Sequence, residues 1–77
     1  MQEFNIAIRS FRQAQDFVQL AMRQGFDVFV GNARQQINGK DLMGLFSLDH
    51  SQPVQVSVNC DQEEFLRFRE EVTAILA

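Results

Sequence analysis

Few side chains in this sequence can do chemistry, and they lie far apart. His50 is the only histidine and Cys60 the only cysteine of 77 residues. Asp16, Asp27, Asp49 and Asp61 are scattered with no metal-ligand spacing, and no phosphate-binding glycine loop, HExxH or CxxC occurs. Cys60 ends an alternating apolar run with no basic neighbour to favour its thiolate, so it reads as a small core residue and not as a nucleophile. This inventory implies no metal, no cofactor and no enzyme. The remaining concentration of distinctive residues is INGKDLMGLFSLDH, Ile37 to His50. There Leu42, Met43, Leu45, Phe46 and Leu48 place five large apolar side chains in seven positions just after a lone acid, Asp41. Such a stretch is either core or a surface built for contact.

Composition removes several classes of partner. Ten acids face seven bases, the net charge is −3, and no Lys or Arg adjoins another, so the electrostatic footprint of a nucleic-acid or anionic-membrane binder is missing. No apolar run approaches the ~18 residues of a membrane span. The start, MQEFNIAIRS, alternates and is acidic where a signal peptide is basic and then apolar. A lone cysteine excludes an internal disulfide and fits a reducing compartment. The expectation is a soluble, complete cytoplasmic chain forming one domain over residues 1–77. A domain this small hides only about 60% of its unfolded surface, so most of the eight phenylalanines are expected to be structural.

The elements that must position these residues follow from periodicity. EFNIAIR alternates, with Phe4, Ile6 and Ile8 on one side, and predicts a first strand. From residue 11 to about 24 the spacing becomes helical, with Ala14, Phe17, Val18 and Ala21 on one face, Ser10 as N-cap and Gly25 as stop. DVFV and RQQIN flank Gly31-Asn32, a hairpin dipeptide, and predict two short strands, the second at a sheet edge. Asp41 opens a short helix running to about Leu48, which Asp49, His50, Ser51 and Pro53 break. PVQVSVNC predicts a strand with Val54, Val56, Val58 and Cys60 inward. Asp61 then caps a final helix with core residues Phe65, Phe68, Val72 and Ile75, and Glu63, Glu64, Glu70 and Glu71 on its wet face. The order β-α-β-β-α-β-α predicts an α+β fold, an open-faced sandwich of a four-stranded antiparallel sheet with helices on one face.

That order, together with NGKDLMGLFSL before the last strand, resembles the histidine-containing phosphocarrier protein (HPr) family of the bacterial sugar phosphotransferase system. In the family this stretch reads roughly Asn or Ala, any residue, Lys, Ser, large apolar, Met, Gly, large apolar, Met or Leu, Ser, Leu. Lys40, Leu42, Met43, Gly44, Leu45, Ser47 and Leu48 fit it. The family also carries a motif like His-Ala-Arg-Pro-Ala at the start of its first helix, and here that motif falls on Ser10, Phe11, Arg12, Gln13 and Ala14. Arginine and the second alanine survive; histidine and proline do not.

The resemblance implies a divergent member that has lost the phosphoryl-carrying reaction. Imidazole suits a carrier because its N–P bond is labile, with a helix N-terminus and an arginine steadying the charge. At Ser10 a phosphate ester would be too stable to pass on, and Ser10 also reads as an ordinary N-cap. Arg12 is either an anion clamp or a solvated arginine. His50 is either a relocated acceptor, since the family's corresponding loop lies near the phosphorylation site, or a solvated loop residue. Asp41 stands where some members are phosphorylated on serine; it either caps the short helix or partly imitates phosphoserine with one negative charge. Leu42, Met43 and Phe46 correspond to the family's apolar docking patch, unless all pack inward as a lid. Together these residues predict a binding or regulatory module. It would dock through Arg12, Gln15, Leu42, Met43 and Phe46 onto proteins of the sugar-uptake or carbon-control network, as a monomer or weak dimer. The alternatives are an active carrier using His50 or Ser10, and self-association through the patch in an unrelated system.

Overall fold

The structure, a computed structural model, describes residues 1–77. In chain order the elements are β1 (Gln2–Ile6), α1 (Phe11–Met22), β2 (Val28–Gly31), β3 (Gln36–Asn38), α2 (Leu42–Phe46), β4 (Val54–Val58) and α3 (Gln62–Ile75). The four strands form one antiparallel sheet in the order β1-β4-β2-β3, with all three helices on one face. This is the expected α+β open-faced sandwich.

Alternation decides which side of each strand is buried. The pairings Phe4–Val56–Val30–Ile37 and Ile6–Val54 put the apolar residues of the four strands, Phe29 excepted, on the helix side. The opposite face carries the row Glu3–Ser57–Phe29–Asn38. Ser57 is the one buried polar residue there, and its hydroxyl donates to Glu3 Oε2 at 3.5 Å. The helical stripes close the core: Ala14, Phe17, Val18, Leu20 and Ala21 from α1, Leu45 from α2, and Phe65, Phe68 and Val72 from α3. Phe68 meets Phe4, Phe17 and Phe26 edge-on, at centroid separations of 6.2, 6.2 and 5.7 Å. It therefore binds α3 to β1, to α1 and to the segment before β2 through favourable ring quadrupoles.

Helix ends are set by identifiable hydrogen bonds. Asp61 and Glu64 form a reciprocal capping box, with Glu64 N–H donating to Asp61 Oδ1 at 2.8 Å and Asp61 N–H to Glu64 Oε1 at 3.3 Å. α1 stops at Met22, ahead of the expected end near residue 24, and Gly25 does not act as a left-handed stop because no glycine has positive φ. Gln24 closes the helix instead, its side-chain amide donating to the Leu20 carbonyl at 2.9 Å. The β2–β3 connection also differs from a two-residue Gly31-Asn32 turn. Gly31 still pairs with Gln36, and the loop is 32–35, folded around Asn32, whose Oδ1 accepts from Arg34 N–H and Gln35 N–H at 2.9 and 3.0 Å. An Asx turn thus replaces the tight hairpin.

Replacing Phe68 with Ala should cost about 3–5 kcal/mol of stability in urea or thermal unfolding. Leu66→Ala, on the exposed side of the same helix, should cost well under 1 kcal/mol.

Candidate functional site

The head of α1 is built from Ser10 outward. Ser10 is extended at φ −153° and ψ 160°, and its hydroxyl oxygen accepts from Gln13 N–H at 3.1 Å. Gln13 reaches back, its Oε1 accepting from Arg9 N–H at 2.7 Å. One helix-start donor, the Gln13 amide, and the Arg9 amide just outside the helix are satisfied in this way, so Ser10 holds the N-cap expected of it. Arg12 does not turn toward Ser10. It is largely exposed and pairs with Asp16 along the helix, Nε to Oδ1 at 3.4 Å.

α2 packs beside this helix start. Leu45 and Leu48 are buried and anchor it, whereas Met43 is 76% and Phe46 53% exposed. Leu42 is half-buried and packs against the core, and Gln15 is half-buried on α1. Regular helix ends at Phe46, short of the expected Leu48. Even so, the amides of Ser47 and Leu48 still donate to carbonyls of Met43, Gly44 and Leu45 at 3.1–3.2 Å, which continues the turn and carries Leu48 inward. Phe11, 46% exposed, meets Phe46 edge-on at 4.9 Å with perpendicular planes. Phe11 escaped the sequence reading of the patch. Its signal was present, since it falls in helical phase with Ala14 and Val18 but lies one turn beyond the buried stripe.

Asp41 occupies the N-cap position of α2, at φ −106° and ψ 104°, yet its side chain makes no capping hydrogen bond. The preceding turn is held by Asn38, whose Oδ1 accepts from Lys40 N–H and whose carbonyl accepts from Asp41 N–H, at 2.9 and 3.0 Å. The Asp41 carboxylate lies over Gly44, where a Cβ would sit 2.9 Å from its Oδ2. Glycine at position 44 gives this carboxylate its place.

His50 is not a solvated loop residue. It is half-buried, with Nε2 2.8 Å from the Leu45 carbonyl. A carbonyl only accepts, so Nε2 carries the proton, and Nδ1 is buried without a partner. Ile8, Arg9, Ser10, Phe11, Ala14, Phe46 and His50 together line a cavity of about 400 Å³. The structure thus brings Ser10, Phe46 and His50 into one site and places Arg9, rather than Arg12, at its edge. Cys60 packs against the core beyond β4, and burial pushes its thiol up, with Glu64 and Asp61 adding to the shift. No group of three or more His, Cys, Asp or Glu side chains is placed to hold a metal ion, and no helix is long and apolar enough to cross a membrane.

Comparison with known proteins identifies this arrangement. The model of a family described as the PTS HPr component phosphorylation site matches residues 10–77. The chain belongs to the HPr phosphocarrier family of the phosphotransferase system. It is similar to HPr-C-His from Thermoanaerobacter tengcongensis, with a TM-score of 0.78 and 29% identity over 99% of this chain and 91% of that one. It is also similar to Crh, the catabolite repression protein of Bacillus subtilis, at 0.66 and 28% over 95% and 83%. That Crh structure is described as an intertwined dimer with a swapped domain. The phosphocarrier protein HPr of Bacillus anthracis str. Ames shares the fold, at 0.73 and 22% over 99% and 96%. No curated protein matches the chain.

His50→Ala should lower stability by about 1 kcal/mol through the lost hydrogen bond and broaden the NMR signals of α2, whereas wild-type-like spectra would show that the bond holds nothing. Cys60 in the native protein should react with a disulfide reagent at pH 8 more slowly than in the urea-unfolded chain, because its raised pKa and partial burial both disfavour attack.

Proposed function

We propose that this chain is an HPr-type docking or regulatory module that does not carry phosphoryl groups. The observation that carries the reading is the pairing of a serine, committed to capping α1, with an exposed apolar patch on the helix beside it. A carrier must accept a phosphoryl group and yield it at comparable free energy. A serine ester is too stable for that exchange, and the sole imidazole has one nitrogen bonded to a carbonyl and the other buried. Ser10 offers only a hydroxyl, and His50 has no free nitrogen to attack an incoming phosphoryl group.

The docking surface is the patch of Met43 and Phe46, extended by Phe11, with Leu42 beneath and Arg12 and Gln15 on the neighbouring turn of α1. Asp41 supplies a standing negative charge at the edge of α2, where some relatives gain charge by phosphorylation; it carries one charge against ~1.5 to 2 for phosphoserine. The partners are proteins of the phosphotransferase or carbon-control network. One observation favours a second reading, a carrier using His50: that ring lines the same cavity as Ser10. Such a carrier would first have to break the Leu45 hydrogen bond or turn the ring outward.

NMR titration of the labelled chain tests the docking reading, with the general phosphotransferase enzyme and a carbon-control regulator as partners. Shifts are expected at Phe11, Met43 and Phe46, with Phe46→Ser weakening binding at least tenfold. If no partner moves these resonances, the reading fails.

A further inference from the structure

The cavity at the head of α1 is a built feature that an exposed apolar patch alone does not require. Its floor is buried Ile8 and Ala14, and three rings stand around it. The His50 ring is fixed by the Leu45 carbonyl, and Phe46 is fixed edge-on against Phe11, so the walls are held by contacts that need no occupant. The small side chain at position 10 leaves the mouth open. At about 400 Å³ the cavity falls within the range of pre-formed, mostly apolar binding sites, roughly 300–1,000 Å³.

Its charge is one-sided. No lining residue is acidic, and the single cation, Arg9, makes no side-chain hydrogen bond or ion pair, in contrast to Arg12 and Arg67, which are paired along their own helices. An entering Lys or Arg would face Arg9 with no compensating carboxylate, whereas an acid would find an unengaged guanidinium. The apolar floor and ring edges favour an aromatic or large aliphatic group.

We infer that this cavity is a socket for an aromatic or large aliphatic side chain that a docking partner presents next to a carboxylate, the apolar group entering between the rings and the carboxylate meeting Arg9. The inference rests on the docking reading and adds to it the chemistry the partner must show. It also places the anchoring point between Phe11, Phe46 and His50, beside Met43 rather than on it.

The test uses 3-phenylpropanoate as a probe, with propanoate and 3-phenylpropanamide as controls, titrated into the labelled full chain. Saturable shifts at Ser10, Phe11, Phe46 and His50 are expected, with Kd about millimolar for so small a ligand. The amide should bind about threefold more weakly, and Arg9→Gln should erase that difference. Ser10→Phe, which fills the socket, should abolish the shifts, while Ser10→Ala, which removes the cap but leaves the space, should retain them. Shifts that do not saturate, or that survive Ser10→Phe, overturn the socket. The same two variants separate this inference from the docking reading. Partner docking that Ser10→Phe leaves intact overturns the socket alone, whereas a partner that fails to dock on the unaltered chain is the failure of the docking reading.

Discussion

The edge-to-face cluster around Phe68 is the constraint from which the rest of this small structure follows. With one sheet and a single covered face, nearly all stabilising burial must occur in one layer between strands and helices. Phe68 reaches three other rings in that layer and so fixes α3 against β1 and α1 together. α1 in turn has one permitted rotation, the one that buries Phe17 and Ala21, and this rotation leaves Phe11 about half exposed against Phe46. α2 has only five regular residues and reaches the core through Leu45, with Leu48 just beyond it. Leu42 packs partly against the core, and Met43 and Phe46 have nowhere to go but outward, so the exposed patch is a geometric consequence of a short helix rich in apolar residues.

The same geometry supports the proposal that the site serves contact and not transfer. The α1 start is internally satisfied: Ser10 takes the Gln13 amide, Gln13 takes the Arg9 amide, and Arg12 is drawn along the helix to Asp16. Across from it, His50 is bound to the end of α2, and Phe46 rests on Phe11. These contacts form a rigid rim, and rigidity lowers the entropic cost of docking. They also occupy the groups that a phosphoryl group would otherwise need.

Much of the fold was legible in the sequence because its signals were local. The alternation in PVQVSVNC, Asp61 as a cap and the stripes of α1 and α3 each point to one answer. What stayed hidden depended on partners distant in sequence or on side-chain choices. The end of α1 was decided by Gln24, not by Gly25, and the β2–β3 loop by the Asn32 side chain rather than by the dipeptide Gly31-Asn32. Spacing placed Asp41 at an N-cap but could not show its carboxylate lying over Gly44. At the site, Ser10 as a cap followed from pattern, and the exposed Met43 and Phe46 followed from the resemblance, which also put in the patch Leu42, a residue half-buried against the core. The bond from His50 to Leu45, the buried Ser57 and the position of Arg9 did not, because each depends on how two elements meet.

One measurement addresses the proposed loss of the carrier step directly. The chain is incubated with phosphoenolpyruvate and the general phosphotransferase enzyme, and its intact mass is read at neutral pH and again after acid treatment. An unchanged mass is predicted. An added phosphate that acid removes, and that disappears in His50→Ala, would contradict the account and make His50 the acceptor.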